Sequence, residues 1–167
     1  MKQVRIPEER LGVLIGRNGS TKEKFQEIVD CEVEMEDNLV TVDGDALDEL
    51  VARDIVKAIG RGFSPEKAFK LVEEGYTLHI LDIKQYADTH KSRERLKGRV
   101  IGRDGEARRH IEKDANVDIA VYGSTVGFIG KTGNIELGRE AVRMLLQGAS
   151  HATAYGYLEK NQDKVDV

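Results

Sequence analysis

Apolar and polar residues follow one another in two rhythms, one of about two residues and one of three to four. Together they predict a mixed α+β fold. Gln3–Ile6 reads as a short strand ended by Pro7. Glu8–Ile15 has helical spacing, with Leu11, Leu14 and Ile15 on one face and acids in its first turn, where the helix dipole favours them. Gly16–Gly19 breaks that helix. Ser20 or Thr21 is placed to cap a second one through Asp30, with Phe25, Ile28 and Val29 turned inward. Cys31–Glu36 alternates apolar and acidic residues, as a half-buried strand does, and Asp37-Asn38 turns it into the hairpin partner Leu39–Val42. A long helix starts at Asp45 or Asp48 and runs to about Ile59, buried through Leu47, Leu50, Val51, Ile55 and Ile59. Gly60-Arg61-Gly62 stops it, and Ser64-Pro65 caps and opens a further helix to Glu74.

The order then repeats. Tyr76–Ile83 is strand-like, Lys84–His90 is a polar connecting loop, Arg93–Ile101 a short helix, and Glu106–Ala115 a second helix after Gly102–Gly105. Val117–Tyr122 and Thr125–Ile129 form a hairpin around Gly123-Ser124, Ile135–Leu146 is the long helix, and Ser150–Lys160 adds another. The two passages align without a gap at an offset of 86 residues: Ile15-Gly16-Arg17-Asn18-Gly19 falls on Ile101-Gly102-Arg103-Asp104-Gly105. Cys31, Val33 and Met35 fall on Val117, Ile119 and Val121, and Val40, Val42 and Gly44 on Val126, Phe128 and Gly130. A fixed period of this kind marks a duplicated unit. Each unit reads β-α-α-β-β-α, a three-stranded sheet covered on one face by helices, with residues 1–75 as the first domain and 76–167 as the second.

Composition narrows the classes. With 40% hydrophobic residues and two prolines the chain is an ordered globular protein rather than a disordered one. A single cysteine excludes an internal disulfide, no apolar run is long enough to span a bilayer, and the start lacks a secretory signal; a cytoplasmic protein is expected. The net charge of −4 argues against nucleic acid until it is divided. Residues 1–84 carry 12 basic and 18 acidic residues, residues 85–167 carry 14 and 12, and Lys91–Lys113 alone carries nine and four. A local basic patch attracts phosphate whatever the remote charge, because salt screens over about 8–10 Å.

The patch surrounds the second Gly-x-x-Gly turn, and that turn has a chemistry. Its glycines permit positive φ and close backbone approach, and it opens onto a helix N-terminus whose unpaired amides favour an anion. Between two helices, in this element order, it matches the KH module, whose GXXG loop clamps four backbone nucleotides of a single strand. Arg108 and Arg109 lie in the first turn of the next helix, where the dipole disfavours cations by about 0.3–1 kcal/mol, and a bound phosphate reverses that sign. Lys113 extends the same face, while Ala107, Ile111 and Ala115 face the core. The competing reading is a solvated face with Arg108–Glu112 and Arg109–Glu106 pairs, which stabilise little. In the first unit Arg17, Lys22 and Lys24 surround the turn, but Glu32, Glu34 and Glu36 line one face of the adjoining strand, so RNA contact there is open and protein docking is the alternative. Asp104 is an acid within the loop and must point away from a bound strand.

Other signals lead nowhere. Gly130-Lys131-Thr132 resembles the end of a nucleotide phosphate loop, but Thr125 stands where the pattern needs glycine. The four histidines and Cys31 show no metal spacing, and no nucleophile with its base is recognisable. No enzyme, metal or cofactor is expected.

With both turns in place, the chain resembles the archaeal two-KH proteins of ribosome biogenesis, which are related to the Partner-of-Nob and Krr families. The resemblance runs over nearly the whole chain. It includes Arg61-Gly62-Phe63-Ser64-Pro65-Glu66-Lys67-Ala68, Leu96-Lys97-Gly98-Arg99-Val100-Ile101-Gly102 and Val121-Tyr122-Gly123-Ser124-Thr125-Val126. It closes with Leu145–Tyr155, where the family commonly has Pro at the position of Ser150. The resemblance implies two tandem type I KH domains and binding of single-stranded RNA, the 3′ region of small-subunit rRNA, during maturation. It implies contact with the maturation endonuclease and with the alpha subunit of translation initiation factor two. It puts the RNA on the second domain, with the family's motif at Gly102, Arg103, Asp104, Gly105, Arg108 and Arg109; Lys97, Arg99, Ile101 and Lys113 complete the expected RNA-binding set. A weaker site falls on Gly16, Arg17, Asn18, Gly19 and Lys22. The alternative is an interaction scaffold in ribosome assembly or translation initiation with little RNA affinity. On the RNA reading, Gly102→Asp with Gly105→Asp is expected to abolish RNA affinity and leave the fold intact.

Overall fold

The computed structural model describes all residues from Met1 to Val167. They form two compact units, Met1–Tyr76 and Thr77–Val167. The first contains β1 (Lys2–Arg5), α1 (Glu8–Ile15), a one-turn 3₁₀ segment Arg17–Gly19, α2 (Ser20–Val29), β2 (Glu32–Glu36), β3 (Leu39–Asp43), α3 (Ala46–Gly60) and α4 (Pro65–Ala68), which runs on as a 3₁₀ turn to Val72. β1 and β2 both pair antiparallel with β3, giving the order β1-β3-β2, with Val4 opposite Val40 and Val33 opposite Val42. Val33, Val40 and Val42, with Phe25, Ile55 and Ile59, lie in the core.

The second unit begins one residue into β4 (Tyr76–Asp82) and goes on with α5 (His90–Ile101), a 3₁₀ turn Arg103–Gly105, α6 (Glu106–Ala115), β5 (Asp118–Tyr122), β6 (Thr125–Lys131), α7 (Thr132–Leu146) and α8 (His151–Lys160). Its sheet has the order β4-β6-β5, with Ile119 opposite Phe128. Ile119, Val126 and Phe128 pack with Ile111 and Ala115 of α6, Val100 of α5 and Val142 and Leu145 of α7. β2 and β5 are therefore equivalent edge strands, and each faces the helix that follows a glycine turn.

Several elements differ from the sequence reading, each for a local reason. α2 is capped not by Ser20 or Thr21 but by Gly19 in the left-handed conformation. α5 begins three residues early because Thr89 Oγ1 accepts from Ser92 N at 3.1 Å. α7 also begins three residues early, at Thr132, with no side-chain cap. α3 buries Ala52, Ile55, Val56 and Ile59, whereas Leu47 and Leu50 are 78% and 40% exposed. The helix is rotated because the Glu49 carboxylate turns inward to accept from Gly44 N at 3.1 Å. Ile28 is exposed, since Phe25 and Val29 already fill the space beneath α2.

The end of each long helix is tied by an arginine. Arg10 donates from Nε to Ile59 O at 2.7 Å and from Nη2 to Phe63 O at 2.8 Å. In the second unit Arg99 donates from Nε to Leu145 O at 3.1 Å and from Nη2 to Ala149 O. The acceptors correspond at the 86-residue offset, but the arginines do not: the second sits three residues, about one turn, further along its helix. A guanidinium here adds a charged donor to carbonyls at the helix end, where Ile59 O and Leu145 O otherwise hold 3.2 Å bonds from Gly62 N and Gly148 N, and it meets the negative dipole end. Arg99, expected on sequence to touch RNA, has its guanidinium committed to α7 and is withdrawn from the candidate site.

Arg99→Met is expected to destabilise the fold by about 1–3 kcal/mol, because two carbonyls lose a charged donor; urea denaturation followed by circular dichroism measures it. His79, in β4 near Phe128 (ring centroids 6.2 Å), is held below its ordinary pKa by burial first and by Arg139 second. The unfolded chain therefore takes up this proton at higher pH than the native one. The contribution of His79 is complete above about pH 6.5 and is lost as pH falls through the lower native value. Melting curves between about pH 7 and 5 should decline less steeply in His79→Phe than in the parent.

Candidate nucleic-acid interface

Two glycine turns of the same backbone geometry mark the candidate sites. α5 ends at Gly102 (φ 75°, ψ 173°), whose amide closes on Gly98 O at 2.8 Å. Asp104 then takes φ 54°, ψ 27°, and Gly105 φ 76°, ψ 12° as the N-cap of α6. In the first unit Gly16, Asn18 and Gly19 have φ values of 75°, 55° and 77°. Asp and Asn are the non-glycine residues that enter the left-handed region most readily. Asp104 thus suits a backbone requirement, and its acid sits at an exposed loop tip.

The two glycines of each turn are needed for different reasons. A Cβ on Gly102 would lie 2.6 Å from Ala107 N, and one on Gly16 would lie 2.7 Å from Thr21 N. A Cβ on Gly105 would meet only the end of the Arg109 side chain, at 2.9 Å. Neither α2 nor α6 has a side-chain cap, so their first-turn amides lack an acceptor from a capping side chain while carrying the positive dipole end. That is a geometry for an anion.

Around the second turn the basic residues divide. Arg103 is exposed at the tip and Lys113 is exposed on α6. Arg109 donates from Nη1 to Asp104 O at 2.6 Å, bracing the loop from behind, instead of pairing with Glu106. Arg108 does pair with Glu112, at 2.7 Å, and the other Glu112 oxygen accepts from Ile119 N of β5 at 2.9 Å. Arg108 therefore lies beside the cleft between α6 and the edge strand, held rather than freely solvated. Lys97 and Ile101 are half-buried on α5, so Ile101 offers apolar surface just before the turn.

The first unit repeats the architecture with other charges. Gln26 Oε1 takes the role of Glu112, accepting from Val33 N at 2.9 Å. Lys22, Gln26, Cys31, Glu32, Val33 and Glu34 line a cleft of about 470 Å³. Glu32, Glu34 and Glu36 are all exposed on β2, where the second unit has Asp118, Ala120 and Tyr122. Arg17, Asn18 and Gly19 form the turn, as expected, but the adjoining wall is acidic. Burial first, then the nearby Asp48 and Glu49 carboxylates, push the Cys31 thiol up, so it is no nucleophile at neutral pH.

The sequence reading missed what lies on the other flank of α6. The His110 ring stacks on Tyr155 of α8 with centroids 3.7 Å apart and planes 3° from parallel, and His110 Nε2 is 3.1 Å from Asp114 Oδ2. His151 Nε2 bonds the carbonyl of Arg99 at 2.8 Å. The signal was available: at the 86-residue offset, Lys24 and Phe69 map onto His110 and Tyr155, and Lys24 Nζ lies 5.7 Å from the Phe69 ring. No group of three His, Cys, Asp or Glu is placed to hold a metal ion, and no helix is long and apolar enough to cross a membrane.

Comparison with known proteins points one way. Residues 77–163 match the second KH domain of PNO1, a eukaryotic-type KH domain, type I. A KH domain-containing protein of Methanocaldococcus jannaschii is 45% identical over 97% of this chain and 74% of its own. The pre-rRNA-processing protein PNO1 of Debaryomyces hansenii is 33% identical over 75% of this chain, which spans about half (49%) of that protein. Among solved structures, the complex of a/eIF2alpha, aDim2p and rRNA from Pyrococcus horikoshii contains a chain that matches 97% of this one and 93% of itself, with 37% identity and a TM-score of 0.91.

The packing of the turn revises the mutational expectation drawn from the sequence. Gly102→Ala should cost about 2–4 kcal/mol, combining left-handed strain with a backbone collision. Gly105→Ala should cost only about 1–2 kcal/mol, because a flexible side chain can move aside. Denaturant midpoints of the two variants rank them; equal losses would contradict the asymmetry. Substitution at both glycines is therefore no neutral probe of binding.

Proposed function

We propose a function from one premise: this chain belongs to the family of KH proteins that includes archaeal Dim2p and the eukaryotic pre-rRNA-processing protein PNO1. It is a single-stranded RNA-binding protein that holds the 3′ region of small-subunit rRNA during ribosome maturation, by binding and placement rather than catalysis. The chain is built as two tandem type I KH domains, residues 1–75 and 76–167, and the second carries the RNA. The observation that supports this most is the exposed, uncapped N-terminus of α6 beside Arg103, with Arg108 set along the cleft to β5.

In this reading the sugar–phosphate chain lies across Gly102-Arg103-Asp104-Gly105, with a phosphate on the first amides of α6. Arg103 and Lys113 neutralise neighbouring phosphates, and Arg109 keeps the loop in shape through the Asp104 carbonyl. Bases turn into the cleft between Ile101 and β5. Arg108 faces the same cleft, and Lys97 adds positive charge from α5. The first domain binds RNA weakly through Gly16, Arg17, Asn18, Gly19 and Lys22, because Glu32 and Glu34 oppose a phosphate chain in its cleft. The partners are the alpha subunit of the initiation factor, named in the Pyrococcus complex, and the endonuclease that matures the rRNA; the site of action is the cytoplasm.

The test uses the full chain and a single-stranded oligonucleotide of the rRNA 3′ end. Arg103→Glu with Lys113→Glu touches exposed residues and should leave the melting temperature unchanged while lowering affinity at least about tenfold near 0.1 M salt. The slope of log affinity against log salt should fall by about one per phosphate contact removed. Undiminished binding by the folded double variant would overturn the RNA reading in favour of a protein scaffold.

A further inference from the structure

Behind the second glycine turn, on the flank of α6 away from β5, lies a hollow of about 300 Å³. It is lined by Gly102 and Arg103 of the turn, Glu106 and Ala107 of α6, and His151 and Tyr155 of α8. Its size falls at the lower end of the range for small-ligand pockets, about 300–1,000 Å³. The loop itself forms one wall, so a strand leaving the loop on that side passes directly over it.

We propose that this hollow is a second nucleotide site, which receives a nucleotide flanking those held in the α6–β5 cleft, its base against Tyr155 and its phosphate toward Arg103. The inference rests on the RNA reading above and adds a new subsite to it.

Three features favour a nucleotide there. First, aromatic residues make up only 5% of the chain and none is Trp, yet Tyr155 and the imidazole of His151 meet at the rim of this hollow. A base stacks on such a ring whatever its identity. Second, the Tyr155 ring is fixed in advance. His110 covers one face of it at 3.7 Å, leaving the other face to a base, and His151, its ring 6.0 Å from that of Tyr155, is anchored to the Arg99 carbonyl. The Arg99 side chain is in turn fixed to the end of α7. A preorganised platform loses little freedom on binding. Third, Arg103 is the cation of the wall and Glu106 the acid, so a phosphate is directed toward the loop side of the hollow and away from the helix.

The first unit supplies an internal contrast. Its equivalent hollow, about 370 Å³, is lined by Ser20, Thr21, Lys24, Ser64, Pro65, Glu66 and Phe69. Pro65 and Phe69 stand where the second unit has His151 and Tyr155. There Phe69 stacks with Phe25 at 6.1 Å and carries Lys24 at 5.7 Å, and no arginine of the turn lines the space. The duplication preserved the hollow, and the ring with a loop arginine beside it belongs to the second copy alone.

The test compares two rRNA 3′-end oligonucleotides, one of about four nucleotides that fills the clamp and one lengthened by about four on each side. Tyr155→Leu should weaken the long oligonucleotide about tenfold and leave the short one unchanged, while Tyr155→Phe, which keeps the ring, restores long-oligonucleotide binding. If Tyr155→Leu loses stability, the parent protein serves instead: photocrosslinking through 4-thiouridine placed in either flank should label the peptide containing Tyr155. Equal affinity losses for both oligonucleotides in a folded Tyr155→Leu, or no loss for either, or crosslinks from neither flank to α8, would overturn the second site. Failure of the parent to bind even the short oligonucleotide would instead overturn the RNA reading itself.

Discussion

The candidate interface depends on one close approach, that of Gly102 to the backbone of Ala107. With no Cβ at 102, the end of α5 comes within a distance that a methyl group would reduce to 2.6 Å. The helix therefore reverses into α6 in three residues, and the amides that start α6 are left at the surface instead of beneath a longer loop. The rest of the turn accommodates this: Asp104 and Gly105 both enter the left-handed region, and Arg109 reaches back to hold the Asp104 carbonyl. Gly16 and Thr21 make the same approach in the first unit. A steric constraint on one glycine thus sets the position of the positive end of a helix dipole.

Given that shared frame, the two copies differ in electrostatics rather than shape. The side chain at position 26 or 112 ties the edge strand to its helix in both, through Val33 N or Ile119 N. Only Glu112 carries a charge, and that charge holds Arg108 beside the cleft. Across the cleft the three exposed glutamates of β2 become Asp118, Ala120 and Tyr122 of β5. Because these side chains sit within a Debye length of a bound backbone, salt screens them less than it screens the remote charges that set the net charge of the whole chain. That is why a chain of net charge −4 offers one cleft suited to phosphate and one that opposes it.

Much of this was legible from sequence because the signals were local. Gly-Arg-x-Gly twice, at a fixed offset, located both turns, and the alternation of Val33 and Met35 with glutamates gave the strand and its exposed acidic row. What escaped depended on competition between neighbours. Leu47 and Leu50 have the right spacing for a buried face, but Ala52 and Val56 form a rival stripe, and the inward turn of Glu49 toward Gly44 decides between them. Ser20 and Thr21 are better caps by propensity than Gly19, yet the turn needs a positive φ one residue earlier and glycine takes the position. The contact of His110 with Tyr155 joins residues 45 apart, beyond any periodic pattern, and only the mapping onto Lys24 and Phe69 foretells it.

Arg99 shows how a basic residue near a phosphate-binding turn can belong to something else. It lies three residues before Gly102, inside the most basic stretch of the chain, and sequence distance alone groups it with Arg103. Its role is disclosed by Arg10, which makes the same two bonds to the equivalent carbonyls from a position one turn earlier in its own helix. Across the duplication the contact persisted and the residue moved. A guanidinium that closes a helix end is unavailable to a ligand, since releasing it would take a charged donor from two carbonyls, one of which, Leu145 O, would keep the 3.2 Å bond from Gly148 N. The cations left for an incoming strand are those that no internal acceptor claims, and around the second turn these include Arg103 at the loop tip, Lys113 on the outer face of α6 and Lys97 on α5.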